Sequence, residues 1–385
     1  MRIYLKNNGY AISEKFPMTV FEMEDVLDKL KQTESLVRFE ISEHDNMKLP
    51  MSICGKEFSA DIYRLNLFAE RLENLNISEM TAFKSLLVSN PECDFEDMLL
   101  MTYGLDYVMI YPCSGCHELG ETVIENEMMP ELEGCSDEIL QLLDPEKVGQ
   151  LMQKQDGGVF INGHYCVTSG YEPPDINIEI GKSERCFFRL LVVPEETKIQ
   201  EAKWISLPCE KEELSEFYNE ICLDFQSSLP MITEEYFSDM KLSDELNYLA
   251  QKLSELSKTD FVKLKAVMEA EEKHEIYEAF YCMRDLNEYE FDKNISDQSD
   301  FGRAYLLKNL PANFDISMLE SMDLFDFGQG ILTHNHGEIT SYGAISGRGQ
   351  ELYPALTVQL EQQLDENIEE DIEENFEPEM GGMSL

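Results

Sequence analysis

The sequence predicts an α+β protein built as two tandem elongated repeats, each assembled from small α+β and helical modules. Three observations carry this reading. The chain resembles itself at a spacing of about 181 residues, amphipathic helical segments recur at matching places, and a β-branched and aromatic strand opens each copy.

The self-similarity is plainest between Leu65-Asn-Leu-Phe-Ala and Leu246-Asn-Tyr-Leu-Ala, where Leu65, Asn66, Ala69, Leu72 and Leu75 align with Leu246, Asn247, Ala250, Leu253 and Leu256. At the same spacing Phe95, Leu99, Leu105 and Ile110 fall on Ile276, Phe280, Leu286 and Phe291, and Pro130 falls on Pro311. Gly120 meets Gly302 after a shift of one. Asp144 to Gly149-Gln150 faces Asp323 to Gly328-Gln329. The order of matches places the first repeat at 1–168, a linker at 169–183, the second repeat at 184–345 and an acidic tail at 346–385.

Each element has a local reason. Arg2-Ile-Tyr-Leu and Phe187-Phe-Arg-Leu-Leu-Val-Val193 have the residue types of strands. Thr19 with Glu22 forms a capping box ahead of Val26, Leu27 and Leu30, which predicts a helix over 19–31. Leu65, Phe68, Leu72 and Leu75 recur at threes and fours, so a helix spans 65–75, with its counterpart over 246–257. Further helices are expected near 79–89, 94–103 and 118–127. Short β segments at Gly158-Val-Phe-Ile161 and Gly337-Glu-Ile-Thr340 close the two copies. Gly170-Tyr-Glu-Pro173-Pro174 signals a turn and linker.

Charge is the outstanding property of the surface. There are 77 Asp and Glu against 30 Lys and Arg, a formal net charge of -47, yet 43% of residues are hydrophobic, so the acids belong to a folded protein. Such a chain repels nucleic acid and anionic lipid, which excludes both as partners. No run approaches the twenty apolar residues of a membrane span, and the N-terminus lacks a signal-peptide apolar core, so a cytoplasmic location is expected. Halophilic adaptation would also give acidity, but more uniformly than the local bias seen here. An acidic scaffold or metal buffer is a further reading, weakened by the absence of an EF-hand loop.

The ten cysteines follow no disulfide framework. Cys113-Ser-Gly-Cys116-His117 matches a haem-attachment string, and Cys113, Cys116, His164 and Cys166 together have the residue types of a zinc site, but the spacing between the pairs is long and an unligated turn is the preferred reading. No cofactor is expected. No nucleophile elbow, phosphate loop or His-Glu-x-x-His is present, and with so many acids a carboxylate pair carries no information, so no enzyme activity is expected. His334-Asn-His336 remains as the best catalytic cue and reads as a structural turn.

The repeat units resemble the antirestriction protein ArdA family of conjugative elements. The strings that carry the resemblance are Leu65-Asn-Leu-Phe-Ala and Leu246-Asn-Tyr-Leu-Ala, Leu105-Asp106-Tyr107, Glu118-Leu-Gly120 and Asp300-Phe-Gly302, and the Asp-x-x-x-x-Gly-Gln elements at Asp144 and Asp323. The chain departs from the family in having Gln150 and Gln329 where an Arg is familiar, and in its duplication. The resemblance implies an elongated acidic protein that mimics duplex DNA and fills the DNA-binding groove of type I restriction-modification enzymes. Other DNA-binding defence or regulatory proteins offer similar grooves. Family members of one unit are expected to pair, so the tandem chain is expected to act as a monomeric pseudo-dimer or a homodimer.

The residues favour such a mimic on their own account. Between Lys84 and Lys147 no Lys or Arg occurs, while fifteen acids do. The candidate phosphate-mimicking acids there are Glu92, Asp94, Glu96, Asp97, Glu118, Glu121, Glu125, Glu127, Glu131, Glu133, Asp137 and Glu138, interleaved with apolar residues of folded helices. In the second copy they are Glu271, Glu272, Glu275 and Glu278. Duplex DNA carries one charge per roughly 1.7 Å, so the full charge of the chain corresponds to on the order of 80 Å of duplex. The segment 349–385 holds eleven acids and no base and reads as a solvated tail.

Overall fold

The computed structural model describes residues 1–7, 9–41, 49–50, 53–176, 178, 186–193, 200–215, 217, 221–236, 243–311 and 314–347; the acidic tail from 348 onward lies outside the described residues. The fold is mixed α+β with several small sheets. Packing divides it into two compact units, Met1–Met18 with Glu34–Gly181, and Thr19–Thr33 with Lys182–Leu385. Helix α1 (Val20–Lys29) thus belongs to the second unit although the strands on either side of it belong to the first. The capping box expected at its start is present: Glu22 N donates to Thr19 Oγ1, and Thr19 N donates to Glu22 Oε2.

The first unit opens with an antiparallel sheet. Strands β1 (Arg2–Asn7), β2 (Tyr10–Lys15), β3 (Leu36–Ile41) and β4 (Glu57–Asp61) lie in the order β2-β1-β3-β4. Alternation buries Ile3 and Leu5 opposite Ile41 and Phe39. Helix α2 (Ile62–Asn74) starts three residues before the expected position because Asp61 caps it, accepting from Tyr63 N at 2.9 Å. It buries Leu65, Phe68, Ala69 and Leu72. Two further helices, α3 (Ile77–Ser89) and α4 (Phe95–Leu100), each start at a capping box, Asn76 with Glu79 and Asp94 with Asp97. Phe95 meets Phe39 and Phe68 edge-on at 5.4 and 5.5 Å, which locks α4 to the sheet and to α2.

The chain then turns through a 3₁₀ segment at Leu105–Tyr107 into β5 (Met109–Tyr111), α5 (Cys116–Glu125), a short α6 (Asp137–Leu140), α7 (Pro145–Asp156), β6 (Val159–Ile161) and β7 (His164–Val167). The sheet order is β5-β7-β6. Only β6 is foreseen by the sequence; its centre, β7, is a four-residue strand whose period is too short to read.

In the second unit β8 (Phe188–Val193), β9 (Lys203–Leu207) and β10 (Ile221–Ser227) form a sheet of order β10-β8-β9, with helix α8 (Lys211–Ser215) between the last two. Helices α9 (Ser243–Glu255), α10 (Lys258–Ala270) and α11 (Ile276–Arg284) contribute to its core through Leu246, Leu249, Leu253, Val267 and Ala279. The end of the unit contains β11 (Glu290–Asp292), α12 (Gln298–Asn309), α13 (Phe325–His334), β12 (Glu338–Thr340) and β13 (Gly343–Ser346), with sheet order β11-β13-β12. Ile345 and Ser346, at the boundary between the second repeat and the tail, are paired with Phe291 and Glu290.

Two local devices occur in both units. Asn66 Oδ1 accepts from Met18 N at 2.7 Å, and Asn247 Oδ1 accepts from Cys209 N at 2.9 Å. Each Asn lies on a helix and holds the chain just past a proline, which explains why a polar residue occupies a buried helical position. The second device is a glycine contact between helices. A Cβ on Gly120 would fall 1.7 Å from the Pro145 carbonyl oxygen, and one on Gly149 would fall 1.9 Å from that of Cys116, so α5 and α7 touch through their backbones. Gly302 and Gly328 perform the same task for α12 and α13, with Gly328 facing the Gln298 carbonyl.

Candidate acidic interaction surface

The twelve candidate acids of the first unit are all exposed. They differ in what else they do. Asp94 and Asp97 cap α4, so their charge is fixed at a helix N-terminus, where the helix dipole favours it. Glu96 meets Arg64 of α2 at 2.9 Å. The basic-free stretch in the sequence is therefore not wholly free of bases in space. Glu92 sits in the turn before α4.

The best-held acids are on α5, which begins two residues before the position expected from sequence. Gly115 offers no capping side chain, and Glu118 reaches back instead: its Oε2 accepts from Ser114 N at 2.6 Å and from Ser114 Oγ at 2.7 Å. The backbone bond from Ser114, then its hydroxyl, hold the Glu118 carboxyl below the usual carboxylate range. Glu121 and Glu125 follow at spacings of three and four and share its face. His117 Nδ1 is 3.7 Å from Glu121. The opposite face buries Leu119, Gly120 and Val123, and the glycine contact with α7 fixes the helix in position.

Beyond α5 the acids continue without a base. Glu127 occupies a left-handed position at φ 48°, Glu131 lies in a 3₁₀ turn at Pro130–Leu132, and Glu133 ends it. Asp137 and Glu138 form the first turn of α6, where the Ser136 hydroxyl lowers the pKa of Glu138. Large apolar residues stand among them: Ile139 and Leu142 are exposed.

The four acids chosen in the second unit divide evenly. Glu272 and Glu275 are exposed, Glu275 serving as the cap of α11. Glu271 is half-buried and accepts from Tyr289 OH at 3.2 Å. Glu278 is also half-buried; it accepts from Lys273 Nζ at 3.0 Å, His274 N at 2.8 Å and Glu275 N at 3.1 Å. Burial opposes its ionisation, but the Lys273 ammonium and the two backbone donors outweigh that and hold the carboxyl low. Its charge is spent on the helix start and offers little to a partner.

The helix of the second unit that corresponds to α5 by its capping is α12. Ser296 N and Oγ both donate to Asp300 Oδ2, at 3.3 and 2.7 Å, repeating the Ser114 and Glu118 arrangement. The face that follows is different: at spacings of three and four it carries Arg303 and Leu307. Acids that the charge reading passed over lie further on. Asp315, Glu320, Asp323 and Asp326 are exposed, and no Lys or Arg occurs over 309–347.

Among the described residues the cysteines and histidines singled out by the sequence make separate contacts. Cys113 Sγ is buried 3.4 Å from Thr122 Oγ1, Cys116 Sγ is 3.7 Å from Gln153 Oε1, and His164 Nδ1 is 3.1 Å from Asn162 O. Burial pushes the Cys166 thiol pKa up. Among the described residues no group of three or more His, Cys, Asp or Glu is arranged to hold a metal. His334 closes α13, and His336 occupies a left-handed position at φ 49°, the geometry of a helix-ending turn. Among the described residues no helix is long and apolar enough to cross a membrane. No known protein family matches the chain, and no curated protein matches it either.

Proposed function

We propose that the chain is a tandem duplication of an ArdA-like unit and acts as a DNA mimic, occupying the DNA-binding groove of a type I restriction-modification enzyme. The observation that carries the proposal is the α5 face. Glu118, Glu121 and Glu125 stand on a helix fixed by a backbone contact, in a stretch without Lys or Arg. Carboxylates held in register can take the place of phosphates in a cationic groove, whereas loose charge cannot offer geometry. The duplication is supported by the Asn66 and Asn247 bonds, the paired glycine contacts, and the serine-capped starts of α5 and α12.

On this reading the protein has no catalytic role or cofactor and works in the cytoplasm, where its targets are. A duplicated chain supplies both halves of a two-fold mimic covalently, which raises the local concentration of the second half and favours a monomeric pseudo-dimer over a homodimer. The experiment is competition: the purified chain is titrated against a type I restriction-modification enzyme bound to labelled duplex. Displacement near equimolar ratio supports the mimic, and no displacement at large excess rejects it. The unequal acidity of α5 and α12 favours a second reading, in which the groove belongs to another DNA-binding defence or regulatory protein with asymmetric demands; the same titration against such proteins distinguishes the two.

A further inference from the structure

We propose that the end of the second unit is an apolar anchor that docks on an apolar patch, bordered by Lys and Arg, beside the cationic groove of the target protein. The inference rests on the mimic reading and specifies how a mimic gains a contact that DNA itself does not make.

The end of the second unit exposes Tyr305 of α12, Ile316 and Met318 of the intervening 3₁₀ segment, Met322, and Phe325 and Phe327 at the start of α13. All six are between 37% and 56% exposed. Tyr305 and Phe327 meet ring to ring at 6.1 Å, so the two helices contribute to one face. Nothing in folding requires this exposure. The core between the helices is made by other residues, Phe301 and Leu332 together with Ile295 and Ala344, and the backbone contact at Gly302 and Gly328 is complete without them. Aromatic and methionine side chains left in water on a folded face mark an interaction surface, because these residue types supply the desolvated centres of protein interfaces.

The surrounding charge states what kind of partner fits. Asp315, Glu320, Asp323 and Asp326 alternate with the apolar residues and are exposed, and the stretch 309–347 has no Lys or Arg; the exposed cations Arg303 and Lys308 lie on α12, leaving the side of the 3₁₀ segment and α13 acidic. A second copy of the chain would bring the same acids to the same place, and like charges opposed across an interface suppress it. A protein surface with apolar residues at its centre and Lys or Arg around them is complementary on both counts. The places where α5 carries Glu121 and Glu125 are occupied on α12 by Arg303 and Leu307, so one acid of that face is replaced by a cation and the other by an exposed apolar side chain.

The apolar contact is unscreened by salt, whereas the carboxylate contacts are screened, and this separates them experimentally. The full chain and two variants, Phe325→Ser with Phe327→Ser and Ile316→Gln with Met318→Gln, are titrated against the restriction-modification enzyme on labelled duplex at low and at high salt. Light scattering and thermal unfolding are recorded for all three. The expected result is a loss of about tenfold or more in affinity for each variant at both salt concentrations. The slope of affinity against salt, the molecular mass and the unfolding temperature stay the same. Retention of affinity within about twofold of the parent by both variants overturns the anchor while leaving the mimic standing. A fall in mass from dimer to monomer overturns it as well and assigns the face to a second copy. A parent chain that fails to displace the duplex rejects the mimic reading itself, and the anchor with it.

Discussion

Lys265 Nζ donates to Asp25 Oδ1 at 3.0 Å in the interior of the second unit, a bond between residues 240 positions apart. The same ammonium donates to Asp28 Oδ2 at 2.9 Å, and Asp25 also receives Tyr342 OH at 2.7 Å and Lys29 at 2.8 Å. Lys265 is 2% exposed and Asp25 5%. Two carboxylates and two ammonium groups thus fix α1 against α10 and the turn before β13.

Removing the centre of that cluster leaves two carboxylates without their shared cation. Lys265→Ala is expected to destabilise the protein by about 3–5 kcal/mol, whereas Lys265→Met with Asp28→Asn should recover much of the loss, because Asp25 then keeps Lys29 as its partner and no carboxylate is left uncompensated. Urea unfolding followed by the fluorescence of Trp204, the single tryptophan, measures both. A single variant as stable as the parent would show that the ion pair contributes nothing.

The cluster also sets an acid limb. Burial opposes ionisation of Asp25, but the ammonium groups of Lys265 and Lys29 and the Tyr342 hydroxyl outweigh it, so its carboxyl is held below the ordinary value near 3.8. A depressed folded pKa contributes stability that is present above that ordinary value and is lost as pH falls through the lowered one. Below about pH 4 the parent should therefore lose stability more steeply than Asp25→Asn. Parallel curves would remove Asp25 as the cause.

Two glycines of α13, two residues apart, should respond in opposite directions. A Cβ at Gly328 would fall 1.8 Å from the Gln298 carbonyl oxygen, and nothing lies within 4 Å of one at Gly330. Gly328→Ala is expected to cost about 3 kcal/mol or more, since backbone must separate from backbone. Gly330→Ala should add about 0.5–1 kcal/mol through helix propensity alone. Thermal unfolding of the pair tests the contact without reference to function.

Charge reversal separates ordered from loose acidity. Changing Glu118, Glu121 and Glu125 together to Lys should weaken inhibition of a DNA-binding target sharply and flatten its salt dependence. Deleting 355–385 should do much less, because unstructured charge incurs an ordering cost on binding. Titration at two salt concentrations decides. If deletion of the tail abolished inhibition and the reversal left it intact, an acidic tail competing alone would be the better description.

Local features were legible in the sequence and distant ones were not. The Thr19 and Glu22 box, the helix around Leu65 and its counterpart around Leu246 follow from neighbouring residues, and each is found within three residues of its expected start. Helix α5 starts two residues before its expected position because its start is held by Glu118 turning back on Ser114, four residues earlier, and not by an N-cap side chain. Strands β7 and β13 are too short to show a period. Among the candidate acids, linear charge could not distinguish Glu125 from Glu96, which Arg64 reaches from another helix, or from Glu278, which caps its own. Nor does any pattern announce that Phe325 and Phe327 face solvent while Phe301 does not.

The membership of α1 has a consequence for any attempt to divide the gene. A cut in the Pro173-Pro174 region would leave one fragment carrying α1 without Lys265, and the other carrying Lys265 without Asp25 and Asp28. Each piece would expose charge and apolar surface that the other piece covers in the intact chain. The halves of this chain are therefore suited to reconstitution from separate polypeptides, as a split protein whose reassembly is driven by the helix that each cut fragment cannot satisfy by itself.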